Sequence, residues 1–311
     1  METGKNSYNC QSQLVGAEAR RLLMPGFSGK ALAVLSNTIY LIGERDEVLW
    51  VAREGSPLHR RCILTSLPLR SICPGQPFFM SGNNLHIGKG VLVELNQAIE
   101  WRPSTVGPGT AAPLPNVAAG LQRLSGILQV LDRVGGLGDS ILLISAVGDG
   151  RAVPDFPGGS LVARAASSIQ ELARACIVED IAQVALIGRE LVGLGPGLTP
   201  SGDDFLGGLF FSVRSLKMAY PGEFCWGDEP IAELIAWART RTHPISHVIL
   251  NDLAHGHGPE PLHEMVSGLL RGEDLDRVMT RVIRLLNIGQ TSGWDILAGV
   301  LTGMLMLKGK G

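Results

Sequence analysis

Two different hydrophobic periods divide this chain. From Lys30 to about Pro103 apolar residues come in short runs, Ala31 to Leu35, Thr38 to Ile42, Val48 to Val51, Cys62 to Leu64, Asn84 to Ile87, Gly90 to Leu95 and Ala98 to Trp101. Turn-forming groups separate the runs: Ser36-Asn37, Gly43 to Asp46, Gly82 to Asn84, Gly88 to Gly90 and Asn96-Gln97. Short strands at such regular intervals predict a small all-β sandwich or barrel over residues 28–103. The preceding residues 1–27 read as an extension with a short helix near Gln13 to Leu23, ended by Pro25-Gly26.

Residues 104–115 are rich in Pro and Gly and predict a linker, after which the period lengthens. Apolar residues at three- and four-residue spacing predict helices over Val117 to Val134, Ser168 to Cys176, Ile181 to Leu191, Asp203 to Ala219, Pro230 to Thr240, Ile245 to Ala254, Pro261 to Leu270, Leu275 to Leu286 and Gly293 to Leu307. A Gly-rich passage, Val134 to Ser140 and Gly148 through Gly159, interrupts them and predicts loops near a site or an interface. The expected fold class is therefore α+β, with a β domain followed by a mainly α-helical domain over residues 116–311.

One stretch fits neither period. In Gly193-Leu-Gly-Pro-Gly-Leu-Thr-Pro-Ser-Gly-Asp-Asp-Phe-Leu-Gly-Gly208, Gly193, Gly195 and Gly197 permit positive φ and close approach to a ligand, while Pro196 and Pro200 stiffen the loop. The loop runs into a helix, whose free N–H groups and dipole favour an anion. The signature returns at Ser292-Gly293-Trp294-Asp295-Ile296-Leu297-Ala298-Gly299, so the domain holds a duplicated Ser-Gly-x-Asp helix start. Ser201 with Asp204, and Ser292 with Asp295, fit the capping box of a helix N-terminus. A second register, with Thr199 as the cap and Pro200 at the first helical position, has only Gln290 as its counterpart. The matched small residues Gly207-Gly208 and Ala298-Gly299 predict that the two helices pack closely and bring their starts together. Asp203 is the acid that capping does not explain, because Trp294 stands at its place in the second copy.

These residues carry a family resemblance. The pattern Gly-x-Gly-Pro-Gly-Leu-Thr-Pro-Ser-Gly-Asp-Asp-Phe-Leu-x-Gly resembles the signature of AllH-type proteins, the small subunit of the oxamate carbamoyltransferase associated with FdrA-like and AllG-like proteins, and the likeness extends weakly back to about residue 28. It implies carbamoyl transfer, oxalurate plus phosphate to oxamate plus carbamoyl phosphate, in allantoin and purine nitrogen catabolism. It also covers a Thr-x-x-x-Ser helix followed by a Gly loop and a further helix, matched here by Thr242, Ser246, Asn251, Gly256 and His263. The candidate catalytic residues are Asp203 and Asp204. The candidate substrate-binding residues are Gly195, Gly197, Thr199, Ser201, Gly202, Thr242, Ser246, Asn251, Ser292 and Asp295. Asp203 would act as a base or hold a cation on the phosphate; Thr242, Ser246 and Asn251 would hydrogen-bond a bound carboxylate or amide, or only cap and pack.

Composition narrows the partners. Charged residues are 18% and apolar residues 45% of the 311 positions, with net charge −2, so no electrostatic footprint for nucleic acid or an acidic membrane exists. The N-terminus lacks an apolar signal segment and no run is long enough to span a bilayer, which predicts a cytoplasmic protein. Cys10, Cys62, Cys73, Cys176 and Cys225 form no CxxC pair and read as reduced thiols.

His243 and His247 have the spacing of two ligands on one helical face, but Pro244 biases His243 away from helical geometry, and no metal ligand is assigned. A Mg²⁺ ion remains compatible with Asp203 and Asp204 next to a phosphate, although the P-loop lysine is missing. Arg60 and Arg61 read as surface residues or as contacts to an anion. Arg271, Arg277, Arg281 and Arg284 read as a solvated face or a subunit contact.

The leading expectation is one subunit of a hetero-oligomeric carbamoyltransferase. Its rivals are a non-catalytic anion-binding scaffold and a Mg-dependent phosphotransferase.

Overall fold

The structure is a computed structural model that describes residues 8–66 and 72–310. The first seven residues of the expected 1–27 extension, and Gly311, lie outside the described residues. The chain divides into two compact units, residues 1–103 and 104–311.

The first unit is a closed eight-stranded barrel with one extra strand. Its strands are β1 (Tyr8–Gly16), β2 (Ser28–Val34), β3 (Thr38–Gly43), β4 (Val48–Arg53), β5 (Cys62–Thr65), β6 (Pro77–Ser81), β7 (Asn84–Ile87), β8 (Val91–Glu94) and β9 (Ile99–Trp101). The order is β5-β4-β3-β2-β6-β7-β8-β1-β9, and the β5–β1 pairing closes the ring. β1 makes closure possible by dividing its length. Tyr8 to Gln11 pair with β8 in parallel, Ser12 to Val15 pair antiparallel with β5, and β9 adds alongside Leu14 to Gly16. Inward residues alternate with outward ones on β3, β7 and β8, and Ile39, Leu41, Leu85, Ile87 and Val93 fill the interior.

The helix expected over Gln13 to Leu23 is shorter. Residues up to Gly16 are strand, and only Ala17–Leu22 (α1) is helical. Sequence alone favours a helix there because Ala, Glu, Arg and Leu dominate, but three neighbouring strands claim the backbone of β1. Gly16 marks the change for a steric reason: a Cβ there would lie 2.2 Å from the His59 carbonyl oxygen. In α1, Glu18 is buried and accepts from Arg21 at 2.7 Å and from Arg60 at 3.1 Å, with Arg61 at 4.0 Å. Arg60 and Arg61 are thus engaged with an internal carboxylate.

The second unit is helical: α2 (Leu114–Leu128), α3 (Ser140–Gly148), α4 (Leu161–Ile177), α5 (Ile181–Gly188), α6 (Ser201–Ala219), α7 (Glu229–Ala238), α8 (Pro244–Ala254), α9 (Glu260–Leu270), α10 (Leu275–Leu286) and α11 (Ser292–Gly303), closed by a 3₁₀ segment, Met304–Lys310. The Pro/Gly-rich stretch before α2 is tied to this unit, since Ala112 N donates to the Leu270 carbonyl at 2.7 Å and the Tyr220 hydroxyl donates to the Ala112 carbonyl at 2.6 Å. α6 is the central helix, buried on every side from Ser201 to Val213. α10 is amphipathic. Arg281 bonds Glu273 and the Glu264 carbonyl, and Arg284 bonds Glu260 and Glu264, so these two arginines staple α10 to its neighbours. α3 had no counterpart in the sequence reading, because Ile141 to Val147 is apolar without a polar face and is bracketed by glycines. Among the described residues no helix is long and apolar enough to cross a membrane.

Candidate functional site

The site is built where α6 and α11 begin. The helices cross through glycine: a Cβ at Gly208 would lie 2.0 Å from the Ile296 carbonyl oxygen, and one at Gly299 would lie 1.8 Å from that of Phe205. Gly208 corresponds to Gly299 in the duplicated signature, and Phe205 to Ile296, so the contact is reciprocal. Gly207 faces a different helix, with Leu253 of α8 against it. The close packing expected from the repeat therefore runs through the last glycine of each copy, Gly208 and Gly299.

The Ser residues do not cap their own helices. Pro200 and Thr291 occupy the cap positions, and neither makes a side-chain cap bond. Ser201 and Ser292 stand at the first helical position, and their hydroxyls act across the crossing instead: Ser201 on Asp295, and Ser292 on Asp204. The expected capping boxes are replaced by an exchange between the two copies. The reason is geometric. The glycine crossing brings the helix starts together, so the hydroxyl of one helix reaches the carboxyl of the other.

Three acids occupy the centre, each nearly inaccessible: Asp203 is 1%, Asp204 4% and Asp295 0% exposed. Asp203 receives protein donors on both oxygens. Its Oδ1 accepts from the Gly193 amide at 2.8 Å, and its Oδ2 accepts from Ser246 at 2.6 Å and from Thr242. It ties the first turn of the Gly-rich loop to α8. Asp204 and Asp295 differ, since the Oδ2 atom of each is buried and has no hydrogen-bond partner.

Burial pushes the Asp204 carboxyl well above the usual carboxylate range. The Ser292 and Thr199 hydroxyls oppose the shift, and the charges of Asp295 and Asp203 add to it. Burial raises Asp295 to about 6, against the Leu137 amide and the hydroxyls of Ser201 and Thr291. Leu137 N donates to Asp295 Oδ1 at 2.5 Å. No basic side chain figures among the groups that shift either acid.

The loop from Gly193 to Pro200 keeps its three glycines at φ 74°, 117° and 96°. Gly202 N donates to the Leu194 carbonyl at 2.8 Å, which folds the loop back on the start of α6. Among the described residues, nothing accepts from the amides of Gly195, Gly197, Leu198 or Thr199. A Cβ on Gly197 would meet nothing within 4 Å. The Thr199 hydroxyl is 3.3 Å from that of Ser292, so the loop and the second helix start meet there.

The structure thus gathers Thr199, Ser201, Gly202, Asp203, Asp204, Thr242, Ser246, Ser292 and Asp295 of the expected set. It leaves Asn251 aside: five residues beyond Ser246 on α8, it projects about 140° away around the helix, and its carbonyl accepts from His255. The histidines also disperse. His243 Nδ1 accepts from Ile245 N, His247 bonds the Ile235 carbonyl, and His263 Nε2 accepts from Gly258 N. Among the described residues no three His, Cys, Asp or Glu side chains cluster as a metal site.

Two contributors went unread in the sequence. Leu137 donates through its main chain, which side-chain identity cannot reveal, although the Gly135-Gly136 pair signalled a tight loop; a Cβ on Gly136 would lie 2.4 Å from Asp295 Oδ1. Thr291 acts on Asp295 but has Pro200 as its counterpart in the first copy, so the repeat gave no signal for it.

A cleft of about 710 Å³, lined among others by Gln122, Ser125, Leu301, Leu305 and Lys308, lies along the far end of α11. Its α11 lining starts at Leu301, roughly 13 Å along the helix from Ser292 at 1.5 Å per residue, and it includes none of the site residues.

Residues 191–304 match the family described as oxamate carbamoyltransferase subunit AllH. No solved structure matches the chain.

Proposed function

We propose, from the match of residues 191–304 to the AllH family, that the chain is a subunit of a carbamoyltransferase, and that its Gly-rich loop holds a small anion of the reaction between oxalurate and phosphate. The observation that carries this reading is the run of unclaimed amides at Gly195, Gly197, Leu198 and Thr199, placed just before the N-terminus of the buried helix α6. Free amides at a helix start favour a phosphate or a carboxylate, and carbamoyl phosphate, oxamate and oxalurate all carry one.

The chemistry asks little covalent help. A phosphate oxygen attacks the carbamoyl carbon of oxalurate, negative charge gathers on the carbamoyl oxygen, and the C–N bond breaks as the oxamate nitrogen takes a proton. Positioned reactants and preorganised amides lower such a barrier. In this reading Asp203 is a positioning residue: all its partners are internal, and it fixes Gly193 and therefore the loop. FdrA-like and AllG-like subunits complete the assembly.

The test is co-expression with such partners and assay of each subunit set for phosphate-dependent breakdown of oxalurate. Activity is expected only when this chain is present, and it should fall when Gly197 is replaced by Val. A set that keeps full turnover without this chain overturns the catalytic reading and leaves a scaffold.

A further inference from the structure

Two buried carboxylates without a basic partner need something to neutralise them. An isolated charge in a desolvated interior is costly, and buried charges are paired or bind metal ions. Asp204 and Asp295 approach from two different helices, each with a wholly buried Oδ2 that accepts from no protein donor. The surrounding side chains are oxygen-bearing: Thr199 and Ser292 on one side, Ser201 and Thr291 on the other. Neither nitrogen nor sulfur ligands are present in this set. Two carboxylates with hydroxyls are a hard, all-oxygen set, of the kind Mg²⁺ and Mn²⁺ prefer and soft metals do not. Burial favours the neutral form of both acids, so a bound cation displaces their protons and binds more tightly as pH rises.

We infer that Asp204 and Asp295 are the carboxylate ligands of one divalent cation of the Mg²⁺ or Mn²⁺ class, held between the starts of α6 and α11. This differs from a cation on Asp203 and Asp204, because both oxygens of Asp203 are already occupied by protein donors. The cation neutralises the buried pair and locks the two copies of the signature together. Thr199, whose free amide belongs to the loop and whose hydroxyl acts on Asp204, connects the ion to the anion site proposed above.

The experiment uses the full-length chain, stripped with chelator and titrated with Mn²⁺ by electron paramagnetic resonance and calorimetry. The expected result is one Mn²⁺ per chain, displaced by Mg²⁺ and weakened at least ~10-fold in both Asp204→Asn and Asp295→Asn, as loss of a ligand requires. The exposed Asp132→Asn should bind as wild type. Melting curves with Mn²⁺ and with chelator supply a second measurement on the unaltered protein, where the ion should raise the midpoint.

A wild-type chain that binds no Mn²⁺ at millimolar concentration overturns the inference. So do two folded Asn variants that bind as tightly as wild type. If Mn²⁺ does not bind and both variants melt at or above the wild-type temperature, protons neutralise the pair. Metal binding is read without turnover, so its failure leaves the carbamoyl-transfer reading standing, and loss of turnover alone leaves the cation site standing.

Discussion

Gly299 rests on the main chain of Phe205, so closely that a Cβ would lie 1.8 Å from the carbonyl oxygen. Backbone cannot retreat as a flexible side chain can, so Gly299→Ala must push α6 and α11 apart. The expected cost is about 1–3 kcal/mol from overpacking, despite the better helix propensity of Ala. Gly120→Ala on α2 is the control, since nothing lies within 4 Å of its added Cβ. There the same change should stabilise by about 0.5–1 kcal/mol. Urea denaturation of the two variants tests the crossing. Equal effects would mean that the helices do not meet as described.

The exchange of hydroxyls predicts which residues are coupled. If Ser201 served its own helix, its hydroxyl would accept from the Asp204 amide; across the crossing it acts on the Asp295 carboxyl. A double-mutant cycle of Ser201→Ala with Asp295→Asn should therefore give an interaction energy above about 0.5 kcal/mol. The cycle of Ser201→Ala with Asp204→Asn should give a smaller one. No coupling between Ser201 and Asp295 would mean that the hydroxyl does not act across the crossing.

Much of this arrangement was legible because it follows from local rules repeated twice. The two helix starts, the Gly-rich loop and the small residues at the crossing all stand in the signature, and duplication implied that the starts are neighbours. What could not be read is long-range. Ser201 and Asp204 have the spacing of a capping box, and only the tertiary crossing redirects each serine to the other helix. The end of β1, Gln13 to Gly16, reads as part of the Ala- and Arg-rich helix that follows it, and it becomes strand because β5 and β9 pair with it. Asp203 was singled out by its asymmetry with Trp294, yet its engagement by Gly193, Thr242 and Ser246 depends on residues at and just before α8, far along the chain.

In the barrel unit, Glu18 should give a recognisable pH signature. The hydrogen bond from Arg21, together with the charges of Arg61 and Arg60, holds its carboxyl below the usual range, although burial opposes them. A carboxyl depressed in the folded state contributes stability above its unfolded pKa, and that stability is lost as pH falls through the folded value. Wild type should therefore lose stability on acidification below about pH 4.5 more steeply than Glu18→Gln. At neutral pH that variant should be less stable, because Arg60 and Arg61 lose a common partner. Thermal melts of both proteins from pH 7 to 3 would show it, and parallel curves would remove Glu18 from the account.

Asp203 offers the sharpest separation between chemistry and architecture. A general base must present a free oxygen to the substrate, whereas both oxygens here receive protein donors, from Gly193 on one side and from Ser246 and Thr242 on the other. If Asp203 positions the loop, replacing its donors should mimic replacing the acid. Ser246→Ala and Thr242→Val should then each weaken anion binding and turnover in the assembled complex, in the same direction as Asp203→Asn, with loss of stability of about 1–3 kcal/mol when a buried partner is left unsatisfied. The pH dependence of the remaining activity should keep its shape, because no titrating base has been removed. If Asp203 were the base, Asp203→Asn alone would lower turnover by ~100-fold or more and abolish the basic limb of the profile. Ser246→Ala and Thr242→Val would then retain the limb. Measuring kcat, KM and melting temperature of the three variants across pH decides between the two roles.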